Sequence, residues 1–243
     1  MDFGNTRLKV MIGDSLFYFD YQRYSKQEIK ETVQTIDNDR TIYYSTVTPR
    51  TSDAILSVFA NYALIAVEPY VSKLTQIRMN NVVGMGLDRI LGILGAAREF
   101  LPPLITLDCG TMITLNILSE DYTILGGMIM PGLTTMAKAS HNYTSALPLI
   151  ETWESYPPYG RNTEEALQAG ILSASIGGIS YALQRVHMSG LVPREAPIIF
   201  TGGDGLFFNK HLNTHQDWNT HYRQHLIING MKFCVESGMS HKP

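Results

Sequence analysis

The pattern of hydrophobic and polar positions predicts an α/β protein in which strands and helices alternate. In the first hundred residues, four runs rich in β-branched, aromatic and apolar residues are predicted strands: 6–12, 15–20, 41–47 and 62–67. The first two flank Gly13-Asp14, a dipeptide typical of a hairpin turn. Ser25, with Glu28 three positions later, predicts the start of a helix that extends to about residue 37. Apolar residues at helical spacing predict another helix over 87–100.

The same pattern starts again after Pro102-Pro103, which ends the preceding helix. Four further strands are predicted from apolar runs: 104–108, 111–118, 122–129 and 197–201. We expect Pro131 to open a helix to about residue 145, because proline favours the first helical turn. A long apolar helix is predicted from Thr163 to about His187. The last apolar segment, 225–236, predicts a strand followed by a helix.

Both halves of the chain open with the same kind of motif, which indicates an internal duplication. The first half begins Asp2-Phe3-Gly4-Asn5-Thr6, and the second begins Asp108-Cys109-Gly110-Thr111. Each motif continues into strand, strand, strand and helix. We therefore predict two related α/β domains, residues 1–101 and 102–243, that face each other across a ligand-binding cleft.

Composition and charge exclude several classes of function. The 243 residues carry a formal charge of −3, whereas nucleic-acid-binding domains are usually basic. Cys109 and Cys234 lie far apart, which argues against a disulfide framework or a zinc site. No apolar run reaches the roughly 18 residues of a membrane span, and no signal-peptide pattern is present. A cytoplasmic protein that binds neither nucleic acid nor a membrane is expected.

The repeated Asp-x-Gly-x-Thr motif has the chemistry of a phosphate-binding loop. A carboxylate at a strand end can hold magnesium, which keeps most of its waters and takes few protein ligands. Glycine lets the backbone approach phosphate oxygens, and the threonine hydroxyl donates a further hydrogen bond. Lys9 adds a positive charge near the first loop. Either loop alone is more often an ordinary hairpin turn, but two at matching positions favour a nucleotide site.

Three further segments carry candidate chemistry. In Gly86-Leu87-Asp88-Arg89, Asp88 could accept a proton from a substrate hydroxyl and Arg89 could bind an anion. The alternative is an ordinary helix start with an acidic residue in its first turn. Residues 126–132 are either an anion site at a helix start or a tight corner. The turn Thr201-Gly202-Gly203-Asp204 follows a predicted strand and is the third candidate.

Taken in order, these motifs resemble the type III pantothenate kinases. The matching segments span nearly the whole chain: 2–9, 86–89, 108–114, 126–132, 163–170 and 201–204. The resemblance implies two ribonuclease H-like domains of the actin-like ATPase class, with a nucleotide cleft between them. It also implies a homodimer that phosphorylates pantothenate with ATP, the first step of coenzyme A synthesis. The implied cofactors are Mg²⁺ and a monovalent cation, K⁺ or NH₄⁺.

The resemblance also implies roles for individual residues of this chain. One group would bind ATP, with Asp2 also holding its magnesium: Asp2, Gly4, Asn5, Thr6, Lys9 and Thr111. A second group would line the pantothenate site: Gly86, Leu87, Asp88, Arg89 and Thr163. Asp88 would accept the proton of the pantothenate hydroxyl, and Asp108 would bind the monovalent cation.

Two departures from the family pattern matter. Only Met1 precedes Asp2, where relatives usually have several apolar residues, so we expect a short first strand. Met79 stands where relatives often have a tyrosine that contacts substrate. Two alternatives therefore stay open. One is a non-catalytic, nucleotide-binding regulatory member of the family, and the other is a kinase for a different small hydroxyl compound.

Overall fold

The computed structural model describes residues 1–34, 41–71, 74, 77–79, 82–153, 158–213 and 217–239. The chain divides into two compact units. The first unit consists of Met1–Glu99 together with His225–Pro243, and the second consists of Phe100–Gln224. The C-terminal segment, which the sequence pattern assigns to the second domain, is thus grouped with the first unit.

The first unit is a five-stranded mixed sheet with helices. Its strands are β1 Asp2–Phe3, β2 Arg7–Ile12, β3 Ser15–Asp20, β4 Thr41–Thr46 and β5 Ala63–Ala66, in the spatial order β3-β2-β1-β4-β5. The central strand β1 is antiparallel to β2 and parallel to β4. Its helices are α1 Lys26–Val33, α2 Pro49–Leu56, α3 Glu68–Val71, α4 Leu87–Ala97 and α8 Leu226–Met239, and a 3₁₀ turn spans Ser57–Phe59.

Local sequence signals account for much of this unit. The predicted capping box is present, because the Ser25 N–H donates to Glu28 Oε2 at 2.7 Å and the Glu28 N–H donates to Ser25 Oγ at 3.3 Å. The predicted end of this helix, at residues 35–37, lies outside the described residues. Alternating residues of the hairpin, including Leu8, Val10 and Phe19, are buried in the core.

The second unit repeats this design. Its strands are β6 Leu104–Cys109, β7 Met112–Leu118, β8 Ile124–Pro131, β9 Ile198–Thr201 and β10 Thr220–Tyr222, in the spatial order β10-β9-β6-β7-β8. Its helices are α5 Leu133–Tyr143, α6 Thr163–Met188 and α7 Gly205–Asn213.

The two sheets have the same connectivity, which confirms the predicted duplication. In each sheet the first strand is central, pairs antiparallel with the second and runs parallel to the fourth. Asp2 on β1 lies opposite Lys9 and Ser45. Asp108 on β6 lies opposite Thr114 and Thr201. The two motif aspartates therefore occupy equivalent positions on equivalent strands.

Helix α6 forms much of the core of the second unit. One side of it packs among buried residues of that core, including Ile171, Leu172, Ile179 and Leu183. Among the described residues, α6 alone is long and apolar enough to cross a membrane by length and composition, and 44% of its most apolar window is buried. A core helix gives the same result, so this is weak evidence for a membrane span.

Two predicted elements are wrong. Pro131 does not open α5 but ends β8, an edge strand that tolerates a residue without an N–H, and Gly132 caps the helix. The segment after His225 is helical throughout its described part instead of beginning as a strand. A short apolar run such as Leu226–Ile228 does not distinguish a strand from a buried helix by periodicity.

Helix α8 belongs to the first unit because it packs closely against α4. Glycines make this approach possible, since a Cβ on Gly95 would collide with the Leu226 carbonyl oxygen. A Cβ on Gly230 would likewise collide with the Leu91 carbonyl oxygen. This contact joins residues more than a hundred positions apart, and it fixes the helix that begins with the Asp88 motif.

Candidate active site

Asp2 is a buried carboxylate held by two neighbouring strands. It is 3% exposed and lies on the short central strand β1. Ser45 on β4 donates its hydroxyl hydrogen to Asp2 Oδ1 at 3.0 Å. Lys9 on β2 places its Nζ 3.5 Å from Asp2 Oδ2. The sheet register thus gives one oxygen a hydroxyl partner and the other a positive charge.

The loop after β1 presents the rest of the first motif to solvent. The Gly4 N–H donates to the Arg7 carbonyl oxygen at 3.1 Å, which closes a tight turn between β1 and β2. Asn5 and Thr6 are exposed at the tip of this turn. The structure therefore brings Asp2, Gly4 and Lys9 together and leaves Asn5 and Thr6 accessible to a ligand.

Asp88 lies in the first turn of α4, in the same unit as Asp2. Its Oδ1 accepts a hydrogen bond from the Arg89 N–H at 2.9 Å. Gly86 is the N-cap residue, and a Cβ there would come against the Asp88 carboxylate. The glycine thus leaves room for the carboxylate at the helix start. Leu87 and Arg89 are half-buried beside it.

Burial raises the pKa of Asp88 above its ordinary range. The hydrogen bond from Arg89 opposes this shift, and the negative charge of Asp2 adds to it. The charge of Asp2 thus acts on Asp88 although 86 positions separate them in the sequence. A carboxylate with a raised pKa is a better proton acceptor, which suits general-base chemistry.

Asp108 lies at the carboxyl end of β6 beside the turn that follows β9. The Asp204 N–H donates to the Cys109 carbonyl oxygen at 3.0 Å, which ties this turn to the second motif. Gly202 has a φ of +88°, and a Cβ there would collide with Asp108 Oδ1. Position 202 therefore favours glycine for two reasons, because its φ is positive and because a Cβ there would have no room.

Asp108 and Asp204 together give one region of the second unit a local negative charge. Burial raises the pKa of the Cys109 thiol well above its usual range, and the charges of both aspartates add to the effect. Carboxylate and backbone carbonyl oxygens are the ligands of hard cations. No group of three or more His, Cys, Asp or Glu suited to a metal occurs among the described residues.

Thr111 sits in a loop that is fixed to the start of α5. Its carbonyl oxygen accepts hydrogen bonds from the Gly132 N–H at 3.0 Å and from the Thr135 hydroxyl. Gly132 packs so closely on Gly110 that a Cβ would collide with the Gly110 carbonyl oxygen. Hydrogen bonds and close packing thus connect the backbone of the second motif to the end of the 126–132 segment. Thr111 itself is exposed.

Thr163 is the first residue of α6 and is exposed. Asn162 caps the helix by accepting the Glu165 N–H at 2.9 Å, and Glu165 Oε2 accepts the Arg161 N–H at 2.8 Å. Thr163 therefore presents its hydroxyl at a well-formed helix start in the second unit. Helix α6 begins at Thr163, as the sequence pattern predicts.

Sequence reasoning missed two residues of these sites. Ser45 has no motif, and only its register opposite Asp2 brings it to the carboxylate. Asp204 was recognised as part of a glycine turn but was not assigned to a site. The signal that could have placed Asp204 beside Asp108 is the position of its turn directly after β9, which runs parallel to β6.

The family model described as type III pantothenate kinase matches residues 1–185. The chain belongs to the type III pantothenate kinase family. A member from Thermosipho africanus is 30% identical over 227 residues, which covers 87% of this chain and 88% of that protein. A second member, from Legionella pneumophila, is 27% identical over 233 residues and covers 93% and 86% of the two chains.

Solved structures show the same fold at low sequence identity. A Campylobacter jejuni protein, described as a candidate Baf family transcriptional activator, has a TM-score of 0.63 and 23% identity, with 98% of each chain covered. The activator of 2-hydroxyisocaproyl-CoA dehydratase from Clostridium difficile has a TM-score of 0.51 and 11% identity, with 100% of this chain and 97% of that chain covered. With the two mixed five-stranded sheets, these likenesses establish the two-domain α/β fold of actin-like ATPases that the sequence predicts.

Proposed function

We propose that this protein transfers the γ-phosphate of ATP to the primary hydroxyl of pantothenate. Family membership over most of the chain supports this proposal. The observation that carries it is the pair of electrostatically coupled carboxylates, Asp2 and Asp88, in one unit. Asp2 has a lysine beside it, which suits the neutralisation of phosphate charge, and Asp88 lies at a helix start where it could accept a proton.

Asp2 would hold the magnesium that accompanies ATP. The fit rests on a buried carboxylate with one oxygen oriented by Ser45 and the other beside Lys9. Magnesium usually takes one or two protein carboxylates and keeps several waters, so one aspartate is sufficient. When bound, the ion would neutralise phosphate charge. Lys9 adds a second positive charge, and the backbone of Gly4 allows close approach of a phosphate.

Asp88 would act as the proton acceptor for the attacking hydroxyl. In this step the hydroxyl oxygen forms a bond to the γ-phosphorus, the bond from that phosphorus to the ADP oxygen breaks, and the hydroxyl proton passes to Asp88. The hydrogen bond from the Arg89 N–H holds the carboxylate in one orientation. The half-buried Arg89 guanidinium could bind the carboxylate of pantothenate with its planar fork. Gly86, Leu87 and Thr163 are proposed to contact the same substrate.

Asp108 would bind a monovalent cation, K⁺ or NH₄⁺, and Thr111 would contact ATP. The local negative charge of Asp108 and Asp204 supports the assignment of Asp108 to the cation site. The exposed hydroxyl and fixed backbone of Thr111 support the second. We further propose that the enzyme acts as a homodimer in the cytoplasm.

A coupled ADP-release assay tests the reaction. Purified protein with ATP and Mg²⁺ is assayed with and without pantothenate, first in sodium buffer and then in potassium buffer. We expect turnover that requires pantothenate and increases with potassium. Nucleotide binding by calorimetry without turnover in either buffer would contradict the kinase and support a regulatory binding protein. Turnover with another small alcohol but not with pantothenate would contradict pantothenate as the substrate. It would leave the assignment as a kinase unchanged.

A further inference from the structure

Thr48 begins α2 as its N-cap residue, but its side chain does not cap the helix. A threonine at this position usually accepts the N–H of the second or third helical residue through its hydroxyl. Here the Thr51 N–H donates to the Thr48 carbonyl oxygen at 3.1 Å, and the Thr48 hydroxyl accepts no N–H from the described helix. The Thr48 N–H donates to Thr46 Oγ1 at 3.0 Å, which fixes the corner between β4 and α2. The Thr48 hydroxyl is therefore left for another partner.

That partner is the loop that follows Asp2. The Thr48 hydroxyl donates to the Gly4 carbonyl oxygen in a long hydrogen bond of 3.4 Å. The Gly4 N–H donates to the Arg7 carbonyl oxygen at 3.1 Å, and in a regular hairpin the Gly4 oxygen would accept the Arg7 N–H in return. This return bond is not found in the described part of the chain. The Gly4 carbonyl has thus turned away from β2, toward the corner between β4 and α2.

The orientation of the Gly4 carbonyl fixes the direction of the next N–H. Because the peptide bond is planar and trans, the Asn5 N–H points opposite to the Gly4 carbonyl. The Val47 N–H donates to the Phe3 carbonyl oxygen at 3.2 Å, so a regular continuation of this parallel pairing would direct the Asn5 N–H toward β4. Instead it faces away from that corner and donates to no described residue. One backbone donor of the motif is thereby released from the sheet.

A buried tyrosine lies on the inner side of this corner. The Tyr21 N–H donates to the Thr6 carbonyl oxygen at 3.2 Å, which places Tyr21 beside the loop. Burial raises the pKa of Tyr21 to about 12, while the nearby Thr48 hydroxyl lowers it and the charge of Asp2 raises it further. The Tyr21 hydroxyl is buried and has no described partner with full hydrogen-bond geometry, so it lies beside Thr48 without bonding to it. The Thr48 hydroxyl thus has a neutral, buried neighbour on this side, which favours its bond to the Gly4 oxygen.

We infer that Thr48 is a positioning residue of the proposed ATP site. Its hydroxyl holds the Gly4 carbonyl in the turned orientation, which leaves the Asn5 N–H to donate to a phosphate oxygen of the nucleotide. Thr48 itself does not contact the ligand. This role rests on the proposed function, because it requires that the loop of Gly4, Asn5 and Thr6 binds the phosphates of ATP. A side chain outside the first motif thus sets the direction of a donor inside it.

Three substitutions test this role. Thr48→Val removes the hydroxyl and keeps the shape of the side chain, whereas Thr48→Ser keeps the hydroxyl and is the rescue variant. Thr51→Val is the matched control, because it makes the same change in the same helix, where no hydrogen bond of the Thr51 hydroxyl is found among the described residues. Calorimetry with Mg²⁺ and a β,γ-imido analogue of ATP measures binding without phosphoryl transfer. Steady-state kinetics separate KM for ATP from kcat, and NMR follows the Asn5 amide.

We expect Thr48→Val to bind the analogue about tenfold more weakly and to raise KM for ATP by a similar factor, with kcat changed by less than about twofold. Thr48→Ser and Thr51→Val should stay within about twofold of the parent protein in both measurements. The amide proton resonance of Asn5 should move downfield when the analogue is added to the parent protein or to Thr48→Ser. The same addition to Thr48→Val should leave it nearly unchanged, which a loss of stability alone would not produce.

Equal affinities of Thr48→Val and the parent protein for the analogue would overturn the inference. Equal weakening by Thr48→Val and Thr48→Ser would also overturn it, because the hydroxyl would then not be the cause. A parent protein that binds the analogue but does not phosphorylate pantothenate would contradict the proposed reaction alone, since the affinities of the variants still decide the role of Thr48. A parent protein that does not bind the analogue would overturn both.

Discussion

The Ser45 hydroxyl donates a hydrogen bond to Asp2 Oδ1 at 3.0 Å, and both residues are 3% exposed. Lys9 contacts the other carboxylate oxygen. Ser45 and Lys9 thus each hold one of the two carboxylate oxygens. The equivalent position in the second sheet, opposite Asp108, is Thr201, which also has a hydroxyl.

Replacing Ser45 with alanine should weaken magnesium-dependent activity. The substitution leaves a buried carboxylate oxygen without its hydroxyl partner, which costs about 1–3 kcal/mol. We expect an increase of about tenfold in the Mg²⁺ concentration that half-saturates ADP release. Ser45→Thr is the matched control, because it keeps the hydroxyl and copies the second sheet. If Ser45→Ala and Ser45→Thr give the same Mg²⁺ titration, Ser45 does not orient Asp2.

Asp88→Asn should lower turnover by about a hundredfold or more while ATP affinity stays nearly constant. The amide keeps the shape of the side chain and its ability to accept the Arg89 N–H, but it is a very poor proton acceptor. Single-turnover ADP release and calorimetric titration with ATP separate the two effects. Turnover equal to that of the parent protein would remove Asp88 from the proposed mechanism.

The same substitution should raise thermal stability at neutral pH. Burial raises the folded-state pKa of Asp88, so its contribution to stability is fully present below the unfolded pKa. That contribution is lost as the pH rises through the folded pKa, and at neutral pH the ionised group costs stability. Asp88→Asn should therefore have the higher Tm at pH 7, and this difference should shrink in acid. An Asp88→Asn variant that is less stable at pH 7 would contradict this.

The pH dependence of kcat/KM should reflect the same group. Its acidic limb should have a midpoint above about 4, the ordinary pKa of an aspartate. The limb arises because protonated Asp88 cannot accept the hydroxyl proton. A midpoint at or below that value would argue against Asp88 as the group that titrates.

Asp108→Asn should weaken the response to potassium. Removing one of two neighbouring carboxylate charges lowers the attraction for a cation, and we expect a half-saturating K⁺ concentration about tenfold higher. Asp121→Asn is the matched control, because it makes the same change of charge in the exposed turn after β7. Thermal unfolding in KCl and in NaCl provides a readout that does not depend on turnover. Identical K⁺ titrations for the two variants would exclude Asp108 from the cation site.

Gly95→Ala should destabilise the first unit by about 1–3 kcal/mol, because its Cβ would collide with the Leu226 carbonyl oxygen. Gly92→Ala, in the same helix, is the control, since a Cβ there meets no atom within 4 Å. Alanine at that position should be neutral or stabilise by up to about 1 kcal/mol. Denaturant unfolding of both variants measures the difference. Equal stabilities would show that the contact between α4 and α8 is not tight at Gly95.

Much of the fold could be predicted because its signals are local. The β2–β3 hairpin is marked by its turn dipeptide, and α1 is marked by the Ser25 capping box. The two motif aspartates were predicted from a repeat that can be read directly in the chain. In contrast, the grouping of α8 with the first unit could not be predicted, because it depends on a glycine-mediated contact with α4 that leaves no local pattern.

The site was predicted only where a motif marks it. Motifs mark Asp2, Asp88 and Asp108 as candidates, but no motif marks Ser45. Its contact with Asp2 depends on the pairing of two strands 43 residues apart, which one sequence does not show. The coupling between Asp2 and Asp88 depends on how a central strand and a helix meet, which periodicity does not describe. The roles of all the candidate site residues stay predictions, those of Asp2, Asp88 and Asp108 included.

The duplicated sheet gives this protein an internal reference. Each strand of one half has a counterpart in the other, so a substitution at Ser45 can be judged against the natural residue at Thr201. The halves differ where their chemistry differs: Lys9 stands opposite Asp2, whereas uncharged Thr114 stands opposite Asp108. The two sheets of the same connectivity thus carry two differently charged carboxylate environments. Exchanging Lys9 and Thr114 would test whether these two residues account for the difference in charge around Asp2 and Asp108.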